Sequence, residues 1–170
     1  IDRMRAFFDK QLAPQNLVAV TPSDSGQAPA YNGWLKQNTR EHKVAGYRVV
    51  LVSLKSPMRP AGDITSAQMR LVADLADKYC DGDIRSTHDQ NLVLAHVPVQ
   101  HLQELWAALD TLELAVPNIG TLADMIVCPG LDYCALANAT SISIWDQINE
   151  RFDDIDYLHD LGDVKIRISG

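Results

Sequence analysis

Five apolar-patterned segments of residues 45–127 change period in an order that few folds accommodate. "AGYRVVLVSL" (45–54) is β-branched and aromatic enough for a mostly buried strand. "DITSAQMRLVADLADKY" then shifts to a helical period. Thr65 and Gln68 stand in capping-box spacing, and Met69, Val72, Leu75, Ala76 and Tyr79 share one face. "GDIRSTHDQNLVLAHVPV" reads as two short strands around a turn at His88-Asp89. "QHLQELWAALDTLEL" is a second helix, whose Leu102, Leu105, Trp106, Leu109 and Leu112 form a stripe suited to packing on a sheet. "LADMIVC" is expected to be the fourth strand.

Strand, helix, strand, strand, helix, strand is the split βαβ order of ferredoxin-like α+β domains, which predicts an antiparallel sheet with the helices on one face. The flanks differ from it. "IDRMRAFFDKQL" has no initiator Met and reads as an amphipathic helix with Met4, Phe7, Phe8 and Leu12 on one side. "APQNLVAVTPSDSGQAPAYNG" is Pro-, Ser- and Gly-rich and reads as a covering loop or linker. Beyond 127 the pattern gives a turn, a helix through about Phe152, an acidic exposed loop "DDIDYLHDLGD", and a strand alternating Val164, Ile166, Ile168 against Lys165, Arg167, Ser169. The expected division is 1–32 helix and linker, 33–127 the ferredoxin-like domain, and 128–170 the opening part of a second α+β domain. Both ends read as cuts within a longer polypeptide.

Composition narrows the function classes. A hydrophobic fraction of 46% supports a real core. With 15 basic against 22 acidic residues the net charge is −7, which argues against nucleic acid as a partner. No apolar run approaches the roughly 18–20 residues that span a bilayer, and no export-type signal opens the chain. Cys80, Cys128 and Cys134 are too few and odd in number for a disulfide scaffold, so the expectation is a cytoplasmic protein with thiols or metal ligands.

In "ADMIVCPGLDYCALANATS" two of those cysteines flank a Pro-Gly turn. Thiolates bind soft metals and iron-sulfur clusters, but a cubane or a structural zinc normally takes four protein ligands and this pair supplies two. Cys134 is expected to open the helix "CALANATSISIWDQINERF", where free N–H groups favour an anion. The spacing alone leaves open that Cys128 ends a buried strand as a small apolar residue and that Cys134 only caps a helix. A zinc site shared between chains has less support, because no His sits near the pair and Asp132 is a hard oxygen donor. Cys80 reads as a helix-end residue, and His42, His88, His96, His101 and His159 as solvated or satisfied side chains.

Taken together, the hairpin and the cysteine segment resemble the sirohaem-dependent nitrite and sulfite reductases. The family's Gly-Asp-x-Arg-x-Thr-x-x-Gln-Asn pattern stands here as Gly82, Asp83, Arg85, Thr87, Gln90, Asn91. Its Cys-Pro-Gly-x-x-x-Cys-x-Leu-Ala segment stands as Cys128, Pro129, Gly130, Cys134, Leu136, Ala137. The resemblance implies that Cys128 and Cys134 are metal ligands, the first two of a [4Fe-4S] cluster. The other two, spaced Cys-x3-Cys, would lie past "KIRISG". It also implies sirohaem, with Gln90, Arg85, Thr87 and Tyr133 as cofactor-facing residues. Strand alternation sets Arg85 and Thr87 on one face and Ile84 and Ser86 on the other, so Ile84 is expected in the core. Arg85 stands equally as a structural ion-pair partner, because the copy of the half domain that precedes the cysteines is the one whose Arg is less engaged with substrate.

By the same resemblance the chain would be a fragment of an oxidoreductase carrying out six-electron reduction of sulfite to sulfide, or alternatively of nitrite to ammonia. Ferredoxin or a flavoprotein would supply the electrons, and the chain alone would be inactive. Sirohaem carboxylates and an anionic substrate demand a cationic site, and this acidic chain implies that most of those cations lie in the remainder of the polypeptide. A reading of another class is a non-catalytic ferredoxin-like packing module that holds no cofactor.

Overall fold

A computed structural model describes residues 28–56, 59–152 and 155–170. The expected opening helix with Met4, Phe7, Phe8 and Leu12 lies outside them. In order come α1 (Ala28–Asn38), β1 (Thr39–Glu41), β2 (Tyr47–Val52), α2 (Ser66–Tyr79), β3 (Ile84–Ser86), β4 (Leu92–Pro98), a 3-10 turn (Val99–His101) and α3 (Leu102–Thr111). They are followed by β5 (Ile126–Val127), α4 (Ile142–Arg151), α5 (Ile155–Asp160) and β6 (Arg167–Ile168).

The main sheet is antiparallel in the order β1-β2-β4-β3, which upholds the α+β ferredoxin-like expectation. Its membership differs from the sequence reading in one respect. "LADMIVC" does not become the fourth strand; β1, from ahead of the domain's first strand, fills the edge beside β2. Ile126 and Val127 instead pair in parallel with Arg167 and Ile168 in a separate two-stranded sheet. The physical reason lies in where the apolar side chains go. Met125 and Val127 are buried against Trp145, with Ile148, Ile166 and Ile168 packed around them, so the segment belongs to the core formed with the end of the chain.

Inward side chains of the main sheet (Val50, Val52, Leu94, Val97) meet Trp34 and Leu35 of α1, Val72, Ala76 and Tyr79 of α2, and Leu102, Leu105, Trp106 and Leu109 of α3 in one cluster. Helix α2 starts at the expected capping box: Thr65 accepts from the Gln68 N–H, and the Gln68 side chain accepts from the Thr65 N–H. Gln68 is then fixed by donating to Leu112 O at 2.7 Å, which ties this helix start to the end of α3. Met69 is 55% exposed and leaves the predicted stripe. Residues 28–33, read as loop, are helical because Tyr31 and Trp34 supply an apolar face, Tyr31 stacking on Trp34 and meeting Trp106 edge-on. The expected acidic loop contains α5, held down by buried Leu158 beside Leu122 and Ala123.

Between β2 and β4 the register slips: Arg48 opposes Val97, but Val50 opposes Leu94, which leaves an extra residue on β4. This bulge breaks the period-two alternation and turns His96 onto the outer face, while Val97 returns to the core. No described helix is long and apolar enough to cross a membrane.

Candidate functional site

The β3–β4 hairpin closes through residues 87–91, where Gln90 has φ +57, the left-handed position that favours glycine. Thr87 holds the loop from within, its hydroxyl accepting from the Asp89 and Asn91 N–H groups at 3.2 and 3.0 Å. Lys55 holds it from beneath. Its ammonium, on a side chain with no exposed surface, donates to the Asp89 and Gln90 carbonyls and to Asn91 Oδ1, and pairs with Asp124 at 3.1 Å. Asn91 completes the lattice by accepting from the Leu54 N–H and donating to Asp124. Burial lowers the Lys55 pKa, with Asp124 and then Asp89 opposing.

Gln90 spends its amide on one residue. Nε2 donates to Val127 O at 2.9 Å and Oε1 accepts from Val127 N–H at 3.0 Å. The path to β5 crosses Gly62, where an added Cβ would lie 3.3 Å from Gln90 Cβ. Thr87, Gln90, Pro129, Tyr133 and Ile142 line one cleft of about 440 Å³ between the hairpin and the cysteine segment.

Cys128 continues β5, donating its N–H to Ile168 O at 3.0 Å. The chain then folds back. Leu131 N–H donates to Ala139 O, Cys134 and Tyr133 N–H both donate to Gly130 O, and Gly130 bridges to Thr140. Both thiols are free and partly exposed. Contrary to expectation, Cys134 does not open a helix: α4 begins at Ile142. The segment 134–141 has no apolar stripe to bury, Leu136 being 90% exposed, whereas Trp145, Ile148 and Phe152 give α4 a buried face. The helix-dipole argument for a thiolate at Cys134 therefore falls. Gly130 is required by the chain's own backbone, which passes where its Cβ would stand.

Arg85 faces elsewhere. It lines a second cleft, of about 520 Å³, on the outer face of the sheet with Glu41, His42, Lys43, Val93 and His96. Its guanidinium grips Asp83 through two bonds of 3.0 and 2.5 Å, and Asp83 also meets His96 Nε2 at 3.1 Å. His96 Nδ1 lies 3.0 Å from His42 Nε2, and His42 Nδ1 accepts from the Val44 N–H. Ile84, expected in the core, is 36% exposed because β3 is an edge strand with no helix over it.

The structure thus brings Thr87, Gln90 and Tyr133 together beside the cysteine turn and sets Arg85 apart as an ion-pair partner of Asp83. Sequence reasoning missed Lys55, Asp124, and the Asp83–His96–His42 line. The available signal was a single Lys directly after a buried strand, where a cation must find partners.

That line makes stability pH-dependent. Burial pushes His96 below the ordinary imidazole value of 6.5, against the opposing pull of Asp83; His42 and Arg85 lower it further. Asp83 is held low chiefly by its hydrogen bond from Arg85. A depressed folded-state pKa contributes stability fully above the unfolded value and loses it as pH falls through the folded one. Denaturation midpoints of the parent chain are therefore expected to drop between about pH 7 and 5, and His96→Gln, which keeps a donor to Asp83, to flatten that drop. An unchanged pH profile in the variant would show that His96 is not the titrating group.

The donor set for a metal is incomplete within the described residues: no group of three or more His, Cys, Asp and Glu is placed to hold an ion. Cys80 cannot join, because it is 2% exposed and burial, with Asp83, Asp81 and Asp77 nearby, pushes its thiol up to about 12. Beside the turn the Ser141 hydroxyl is buried with no hydrogen-bond partner.

The family model for the nitrite/sulfite reductase ferredoxin-like half domain matches residues 52–112. The chain is 34% identical over 114 residues to the assimilatory ferredoxin-dependent nitrite reductase of Haloferax mediterranei, covering 64% of this chain and 19% of that protein. It is 28% identical over 113 residues to the ferredoxin–nitrite reductase of Synechococcus elongatus, covering 65% and 21%. Among solved structures, the NirA protein of Mycobacterium tuberculosis superimposes with a TM-score of 0.59 at 26% identity, over 78% of this chain and 24% of that one. The chain spans about a fifth of the length of these two curated relatives. With an antiparallel sheet of the expected class and the Gly82-to-Asn91 hairpin, residues 52–112 match the ferredoxin-like half domain of nitrite and sulfite reductases, and the chain is similar to that family.

Proposed function

We propose that this chain is the part of a nitrite reductase that supplies two thiolates, Cys128 and Cys134, to a [4Fe-4S] cluster beside sirohaem. The observation that carries the reading is a pair of free, partly exposed thiols on one hydrogen-bonded turn, next to a cleft of this family's half domain. Leu131, Tyr133 and Leu136, which are 52, 77 and 90% exposed around that turn, are apolar surface that a large cofactor would cover. Thr87, Gln90 and Tyr133 would meet the cofactor from the cleft; Arg85 would reach it only from the sheet's outer face. The other two cluster thiolates must come from outside residues 1–170, since Cys80 is sealed. The division into a half domain over 33–127 and the opening of a cluster domain over 128–170 belongs to the same proposal.

When bound, the cluster and sirohaem supply the electron chemistry. The chain's own residues hold the thiols, exclude water behind Val127 and Trp145, and set the direction of the turn. Nitrite is preferred to sulfite because the relatives are named as nitrite reductases, and ferredoxin is preferred as donor for the same reason. A reducing compartment is required for thiols to stay free.

The test uses the intact polypeptide that contains this segment, reconstituted anaerobically with iron and sulfide. A brown chromophore absent from Cys128→Ser and Cys134→Ser is expected, together with nitrite reduction exceeding sulfite reduction when reduced ferredoxin is supplied. Normal iron content in both serine variants would overturn the assignment.

A further inference from the structure

We propose that Gln90 is a positioning residue for Cys128, acting through the backbone of Val127. This rests on the reading of Cys128 as a ligand, and it derives from three observations that a cofactor contact alone does not explain. First, Gln90 occupies a left-handed conformation at a loop position where glycine carries no steric cost, so a side chain is retained there against strain. Second, both polar atoms of that side chain are committed to the N–H and C=O of one residue, in the manner of a neighbouring strand, so Gln90 extends the edge of β5. Third, the loop bearing Gln90 is itself immobilised by a buried cation, with Lys55 donating to the carbonyls of Asp89 and Gln90.

These contacts form a continuous chain from the half domain to the cysteine. Lys55 follows β2 by three residues, the loop sits on Lys55, the Gln90 amide sits on Val127, and Cys128 is the next residue. On its other edge, among the described residues, β5 pairs with the two-residue β6. A strand so short carries little pairing of its own, so the Gln90 clamp decides how often its end opens. Gly62 leaves the channel through which the amide passes, and Ala61 packs against the Met125–Val127–Trp145 cluster on the far side. The half domain thereby sets the direction in which the first thiol projects, although none of its strands pairs with β5.

The test is the alkylation rate of each cysteine in the 170-residue chain, resolved by mass spectrometry, for the parent, Gln90→Gly and Gln90→Glu. Gly relieves the backbone strain and removes the clamp. Glu keeps the acceptor for Val127 N–H but sets a carboxylate against Val127 O. Losing one or two net hydrogen bonds at the strand end is expected to speed Cys128 alkylation by about tenfold, with Cys134 changed less than about twofold and buried Cys80 still protected. A Cys128 rate within about twofold of the parent overturns the proposal. So does equal acceleration of all three cysteines in both variants, which would make Gln90 a general stability element. In the intact reconstituted protein, altered electron paramagnetic resonance g-values of the reduced cluster in Gln90→Glu are expected as well. Absence of a cluster in the parent would sink the functional reading while leaving the alkylation result standing.

Discussion

Replacing Lys55 with Met is expected to lower the unfolding free energy of the chain by about 3–5 kcal/mol, the cost of stranding the other half of a buried ion pair. The side chain has no exposed surface and Asp124 only 7%, so neither charge has water to fall back on. Met fills the space left by the Lys stem but leaves the Asp89 and Gln90 carbonyls without their donor and Asp124 with only Asn91 and the Gly120 N–H. The double variant Lys55→Met, Asp124→Leu should recover part of the loss, because exchanging both members of a buried pair for apolar residues is often near neutral. Because burial depresses the Lys55 pKa below its unfolded 10.5, the parent alone should also gain stability as pH rises through the folded-state value toward 10.5; the Met variant lacks that gain. Urea denaturation monitored by circular dichroism measures all three. A loss below about 1 kcal/mol for the single variant would mean that the ammonium reaches solvent.

The periodic parts of this molecule were readable because period follows from which side must be dry. The Leu102, Leu105, Trp106, Leu109 stripe, the Thr65–Gln68 box and the β3–β4 hairpin all depend on residues within one or two turns of each other. Long-range choices were not readable in that way. Nothing local distinguishes "LADMIVC" as a strand for the main sheet from a strand for the small one; the decision rests on Trp145 and Ile166, some twenty and forty residues later. The bulge that turns His96 outward is likewise a property of two strands paired, invisible in either alone. At the site, the motif residues were visible in the sequence but their contacts were not. Arg85 proved to be committed to Asp83, and the Gln90 amide to Val127, while the importance of Lys55 comes entirely from what surrounds it. Cys134 shows the opposite error, a helix start expected in a stretch with no face to bury.

Gly130→Ala should open the cysteine turn while leaving the half domain folded. Gly130 has φ +64, so any side chain there carries a left-handed penalty of roughly 1–2 kcal/mol. A Cβ would also strike the Ala139 carbonyl oxygen and stand 3.0 Å from Ser141 Oγ and 3.2 Å from Ser141 N. Two of those three atoms are backbone, so relief requires parting the Leu131–Ala139 hydrogen bond and the Gly130–Thr140 bridge, adding about 1–3 kcal/mol of overpacking. Gly162→Ala separates the two causes. Gly162 has φ +70 but nothing within 4 Å of its would-be Cβ, so it carries the conformational penalty alone. The main core around Trp34, Leu94 and Leu105 shares no residue with the turn, and its melting should shift little in either variant. In Gly130→Ala the alkylation rates of Cys128 and Cys134 should rise together, since both hang on the same bend, whereas a Gln90 variant moves only the first. Equal behaviour of the Gly130 and Gly162 variants at both thiols would mean that the turn tolerates a side chain and that the close backbone approach at residue 130 does not hold the cysteines.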